Sequence, residues 1–172
     1  MKRRLVVSVV LLGLLAAIPL SRAGAATQTT HDVTRISDNA TVGTSTLTRT
    51  GGGVSFSLET SGLEAGHAVT VWWMVANPDG GMAVLYAAGH VIDDSGTAEF
   101  GASLKVGEDD GWVMGDDRTL EDASGATVYL VVRDHGLADP GMVDEQIHTF
   151  GACNPAGMEN CHDLQMSVHP PS

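Results

Sequence analysis

The chain is short of the residues that several functions need. Lys and Arg number only nine against 21 Asp and Glu in 172 residues, a formal net charge of −12. Phosphate backbones and anionic lipid surfaces are held by Lys and Arg that displace counterions, so this balance sets aside nucleic-acid and membrane-surface roles. Aromatic residues are 5% of the chain, few enough that Trp72 and Trp73 are both expected in core packing rather than offered to a sugar or peptide. After the first 20 residues no apolar run approaches the roughly 20 residues that a spanning helix needs. Helical 3.6-residue periodicity is also missing beyond that point. Cysteine occurs only twice, at Cys153 and Cys161, and never just after the N-terminal apolar run. Lipid anchoring through a modified N-terminal Cys is not expected.

What is present begins with an export leader. Lys2, Arg3 and Arg4 precede an apolar run from Leu5 to Leu20, and Ala23-Gly24-Ala25 supplies the small residues of a cleavage site. Residues 1–25 therefore read as a signal peptide, and the run is too short for a retained anchor. The expected location is secreted or periplasmic, with no membrane span after cleavage. Lys2, Arg3, Arg4 and Arg22 leave with the leader, so nine basic residues fall to five against 21 acidic ones, a net charge of −16. In such a compartment Cys153 and Cys161 are expected to form a structural disulfide rather than free thiols or metal ligands.

Residues 26–43 are polar and read as a flexible lead-in, with one edge strand around Val33 to Ile36. Residues 44–172 read as the folded domain. From Thr44 onward, two-residue alternation is interrupted by turn residues, the pattern of half-buried strands. Thr44 to Thr50, the Gly51-Gly52-Gly53 turn, and Val54, Phe56 and Leu58 form a hairpin. Ala68 to Val75 is apolar almost throughout, as in a strand covered on both faces. Further strands are expected over Met82–Ile92, Ala98–Val106, Trp112–Met114, Ala126–Arg133, Met142–Phe150 and through Leu164, Met166 and Val168. The fold class is thus all-β: an antiparallel β-sandwich, immunoglobulin-like or superoxide-dismutase-like, of about eight strands.

Two segments carry a family resemblance. Thr60-Ser61-Gly62-Leu63-Glu64-Ala65-Gly66-His67-Ala68-Val69-Thr70-Val71 resembles the turn and hydrophobic strand that open CHRD domains, the β-sandwich modules first noted in chordin. Gly125 to Arg133, then Asp139-Pro140-Gly141 and Glu145-Gln146-Ile147, is similar to their closing pattern of a Tyr-bearing strand, a Pro-Gly loop and a final strand. The whole also resembles a group of uncharacterised secreted bacterial proteins. The resemblance implies a sandwich and carries no enzymatic activity with it. Where CHRD domains often have a His pair after the first turn, this chain has Trp72 and Trp73.

Seven His follow the leader. His90 and His135 end strands and His148 lies in the next, so the three are candidate copper or zinc ligands at one pole, with Asp134 or Asp144 behind them. No pair shows His-x-His spacing. An acid–base reading would join His135 or His148 to Asp134, Asp144 or Glu145, but no Gly-x-Ser-x-Gly nucleophile accompanies them. The clusters Glu108-Asp109-Asp110 and Asp116-Asp117 do not follow the order of a calcium loop. Asn39-Ala40-Thr41 fits a glycosylation sequon. Trp72 and Trp73 must point to opposite faces of one strand, one to each layer. The function expected is a non-catalytic binding or structural module whose partner is a protein, a glycan or a metal. The alternative is a copper- or zinc-binding protein on the same scaffold.

Overall fold

Alternation along short segments becomes eight strands, seen in a computed structural model that describes residues 25–108 and 119–172. Nearly all of the leader, and the acidic stretch with Trp112, Val113, Met114, Asp109, Asp110, Asp116 and Asp117, lie outside the described residues. The strands are β1 (Thr27–Arg35), β2 (Thr41–Thr50), β3 (Gly53–Ser61), β4 (His67–Ala76), β5 (Met82–Val91), β6 (Thr97–Lys105), β7 (Thr127–Leu137) and β8 (His162–His169). All pair antiparallel, in the order β5-β4-β7-β8-β1-β2-β3-β6. The all-β antiparallel class is therefore the observed one.

The sheet folds over at one joint. β1 and β8 share just two paired positions, Thr34 with Met166 and Arg35 with Gln165. On the far side the two end strands, β5 and β6, come together without a ladder between them. There the His90 ring stacks on Phe100 at 4.6 Å. The result is nearly a closed barrel with one open seam.

Inside lie Leu47 of β2, Val54, Phe56 and Leu58 of β3, Val69, Val71, Trp73 and Val75 of β4, Phe100 and Leu104 of β6, and Val128, Leu130 and Val132 of β7. Trp73 meets Phe56 edge-to-face at 4.8 Å, joining the two halves. Trp72, one residue before it, is buried on the opposite face with Val84 and Phe150. Both Trp are core residues, one to each side, as the two-residue period requires.

Three elements differ from the sequence expectation. The 26–43 lead-in holds β1, which lies inside the sheet between β8 and β2 rather than on an edge. Residues 142–150 form no strand; they contain a single helical turn, α1 (Val143–Gln146). Gln146, its buried residue, donates to the carbonyls of His135 and Leu137 and accepts from the Asp139 N–H, so its side chain replaces a ladder. Finally, the fully buried positions of β8 are Gln165, Ser167 and His169, while Leu164, Met166 and Val168 are half-buried. β8 turns its polar side inward.

Residues 138–161 form a cover over the outer face of β4, β5 and β7. Gly136 and Gly89 admit it. A Cβ on Gly136, whose φ is +79°, would stand 1.9 Å from the Asn154 carbonyl, and one on Gly89 would stand 2.5 Å from that of Ile147. The Cys153–Cys161 disulfide closes the end of this cover.

Candidate functional site

The three His expected as joint metal ligands stand in three different settings. His90 stacks on Phe100 at the seam. His148 is half exposed on the cover, where its Nδ1 donates to the Asp144 carbonyl at 2.7 Å and its ring lies 5.5 Å from Tyr86. His135 is fully buried beneath the cover. They share no donor set, because β5, β7 and the cover present them to different surroundings. Asp134 serves His67, whose Nδ1 is 3.0 Å from both carboxylate oxygens. Adjacent positions on a strand face opposite ways, so Asp134 and His135 lie one to each side of β7 and cannot back the same ion.

Among the described residues, the metal-type donors that do come together are His135, Cys153 and Cys161, within 4.8 Å of one another and all buried. His135 Nδ1 is 3.0 Å from the Ala152 carbonyl and 3.4 Å from Cys161 Sγ, and Nε2 is 2.7 Å from Thr70 Oγ1. The Trp72 indole N–H also donates to Thr70 Oγ1, at 2.7 Å. A carbonyl only accepts, so Nδ1 carries the proton of the neutral ring and Thr70 donates its own to Nε2. Burial pushes the His135 pKa down, partly offset by the Ala152 carbonyl, so the neutral ring is the stable form.

A second buried group lies between β1, β2 and β8. His169 Nε2 is 2.8 Å from Ser45 Oγ and Nδ1 is 2.9 Å from Thr29 Oγ1, while Ser45 and Ser167 hydroxyls meet at 2.5 Å. His31 sits edge-on to His169 at 4.9 Å. A serine beside an imidazole resembles a nucleophile–base pair, yet Ser45, Ser167 and His169 are sealed from solvent. No substrate reaches them, and their role is to satisfy one another inside the barrel.

An accessible cleft of about 660 Å³ lies where the seam meets the outer face of β2, β3 and β6. It is lined by residues 41–44 of β2, Glu59 and Thr60 of β3, His90, Asp93 and Thr97 to Glu99. Glu59 and Glu99 stand directly opposite in the β3–β6 register. The Ser95 hydroxyl and N–H, with His90 nearby, hold the Asp93 carboxyl below its ordinary range. Among the described residues, no Lys or Arg lines the cleft. Sequence alternation alone puts Glu59 and Glu99 on outward positions; their pairing depends on strand order, which no local signal carries.

Comparison with known proteins gives no match: no family model fits the chain, and no curated protein or solved structure is significantly similar to it.

Proposed function

We propose that the chain is an exported, CHRD-like, non-catalytic binding module that takes a cationic, extended peptide segment in the seam cleft. The observation that carries the reading is the placement of this cleft beside the two sheet edges, β5 and β6, each with a ladder on one side only among the described residues. Edge strands recognise peptides by adding a strand, with main-chain hydrogen bonds giving affinity and side-chain pockets giving choice. The cleft volume falls in the range of ligand sites, about 300–1,000 Å³, but its hydroxyls and carboxylates suit a polar partner. Glu59, Asp93 and Glu99 supply the charge complementarity. Export is supported by the leader and by the disulfide, which persists in oxidising compartments.

The test is fluorescence anisotropy with a labelled peptide of alternating Lys and Val against one of alternating Glu and Val. The Lys peptide is expected to bind, with affinity falling as salt rises. Replacing Glu59 and Glu99 together by Gln should weaken it about tenfold, or roughly 1.4 kcal/mol. Equal binding of both peptides, or binding indifferent to E59Q/E99Q, rejects the cleft as the site.

A further inference from the structure

The buried trio under the cover has chemistry that the disulfide masks. We infer that reduction of Cys153–Cys161 turns His135, Cys153 and Cys161 into a three-donor site for copper(I). The three donor groups already lie within 4.8 Å of one another, so reduction has only to let the two bonded sulfurs part to non-bonded distance on the cover. Two thiolates and an imidazole form a soft set, the kind that selects copper(I) or zinc over hard cations. Structural zinc takes four ligands in a tetrahedron. The backbone carbonyls of Ala152, 3.0 Å from His135 Nδ1, and Gly151, 3.4 Å from Cys153 Sγ, adjoin the trio, and among the described residues no fourth His, Cys or carboxylate joins it, so a cation satisfied by three donors is favoured.

The imidazole is prepared for the exchange. Thr70 Oγ1 has two lone pairs, and the Trp72 N–H occupies one. In the disulfide form Thr70 donates to His135 Nε2. When Nδ1 gives its lone pair to copper, the ring proton moves to Nε2 and donates to the second lone pair of Thr70 Oγ1, 2.7 Å away. Ligating His rings are held this way, by an oxygen accepting from the nitrogen that does not bind the metal. Thr70 and His135 keep their places while the Thr70 hydroxyl proton turns away from Nε2, and the Ala152 carbonyl, 3.0 Å from Nδ1 on the cover, swings aside to leave that nitrogen to copper.

The chemical balance is simple. A dithiol transfers two electrons and two protons to the protein disulfide by thiol–disulfide exchange and leaves as a cyclic disulfide. Copper(I) then displaces one proton from each thiol. Exchange with an oxidising small-molecule disulfide, which takes the two electrons and, with two protons from solvent, leaves as two thiols, re-forms Cys153–Cys161, removes both thiolates at once and releases the ion. The site is thus open to copper only in the reduced chain. It is independent of the seam cleft, so peptide binding there bears on neither outcome.

The experiment uses untagged protein without residues 1–25, reduced by dithiothreitol under argon, with two thiols per chain confirmed by titration. Copper(I) is then offered in competition with a chromogenic chelator. The reduced chain is expected to take one equivalent with at least about 100-fold higher affinity than the disulfide form. His135→Gln, which reaches Thr70 as Nε2 does but offers no imidazole, should lower that affinity at least about tenfold. X-ray absorption of the copper-loaded wild-type chain reads the donors without any variant: two sulfurs and one nitrogen are expected. Equal copper uptake by both redox forms, a copper shell of sulfur alone, or tighter binding of zinc than of copper(I) in the same competition overturns the assignment.

Discussion

His169 shows what a single enclosed imidazole costs. Burial first, then the nearby His31 and Arg49, push its pKa down to about 4 from an ordinary 6.5. Between those values the unfolded chain binds a proton that the folded one refuses, so stability falls as pH drops from about 6.5 to about 4. The shift corresponds to about 3 kcal/mol lost across that window. Urea unfolding at pH 7 and at pH 4.5 should show the loss, and His169→Gln should flatten it. Arg49 is the opposite case, a buried charge kept for its donors. It donates to the carbonyls of Ala123, Ala126, His169 and Pro170, tying the turn before β7 and the end of β8 to β2. Arg49→Ala leaves these carbonyls without their donor and is expected to cost about 3 kcal/mol or more, measurable by thermal or denaturant unfolding. Neither residue announces itself in the sequence. Both occupy inward positions where hydropathy expects an apolar side chain, and only the folded neighbours explain them.

At the scale of elements, the cover over β4, β5 and β7 is the part most open to test. Phe150 anchors it, meeting Trp72 edge-on at 4.9 Å and lying under the Arg133 guanidinium at 3.9 Å. Arg133 also donates to the Phe150 carbonyl and pairs with Asp163. Phe150→Ala removes this anchor and should loosen the cover relative to the rest of the fold. Dithiothreitol should then reduce Cys153–Cys161 about tenfold faster, with near-native circular dichroism retained. Strands whose apolar residues alternate, such as β3 and β6, are legible in the sequence because the pattern itself sets the buried face. The cover is not. Met142, Val143, Ile147 and Phe150 satisfy neither a two-residue nor a 3.6-residue period over enough length, and its acidic Asp144 and Glu145 suit a helical first turn. The inner place of β1 is hidden for a related reason. Its Thr29 finds a partner in His169, a contact 140 residues away in the chain. The cysteine pair, joined by a disulfide, is readable as the chain's only two cysteines, but its meeting with His135 depends on how the cover lies on β7.

For the whole molecule, the excess of acidic charge is what composition reveals most directly. Few cations offset the acidic groups, so the folded chain repels itself. Raising ionic strength from about 0.01 M to about 0.15 M shortens the screening length from about 30 Å to about 8 Å. The melting temperature should rise with it, by some 2–4 °C for each kcal/mol of repulsion removed at this domain size. A melting temperature that stays level or falls with salt would show that local ion pairs outweigh the global repulsion. The fold class follows from alternation, whereas strand order and seam do not, because they are settled by pairings between distant stretches.

The joint between β1 and β8 has one more consequence. Thr34 donates its hydroxyl to the Met166 carbonyl across 132 residues of sequence, and the two strands share only two ladder positions. The first strand of the barrel waits for the last, so closure depends on the longest loop the chain must draw shut, and folding belongs with the slow, non-local β topologies. Removing 162–169 would not shorten an end of the sheet. It would cut the ring at its clasp and bare two inner strands, β7 and β1, as sticky templates for other chains.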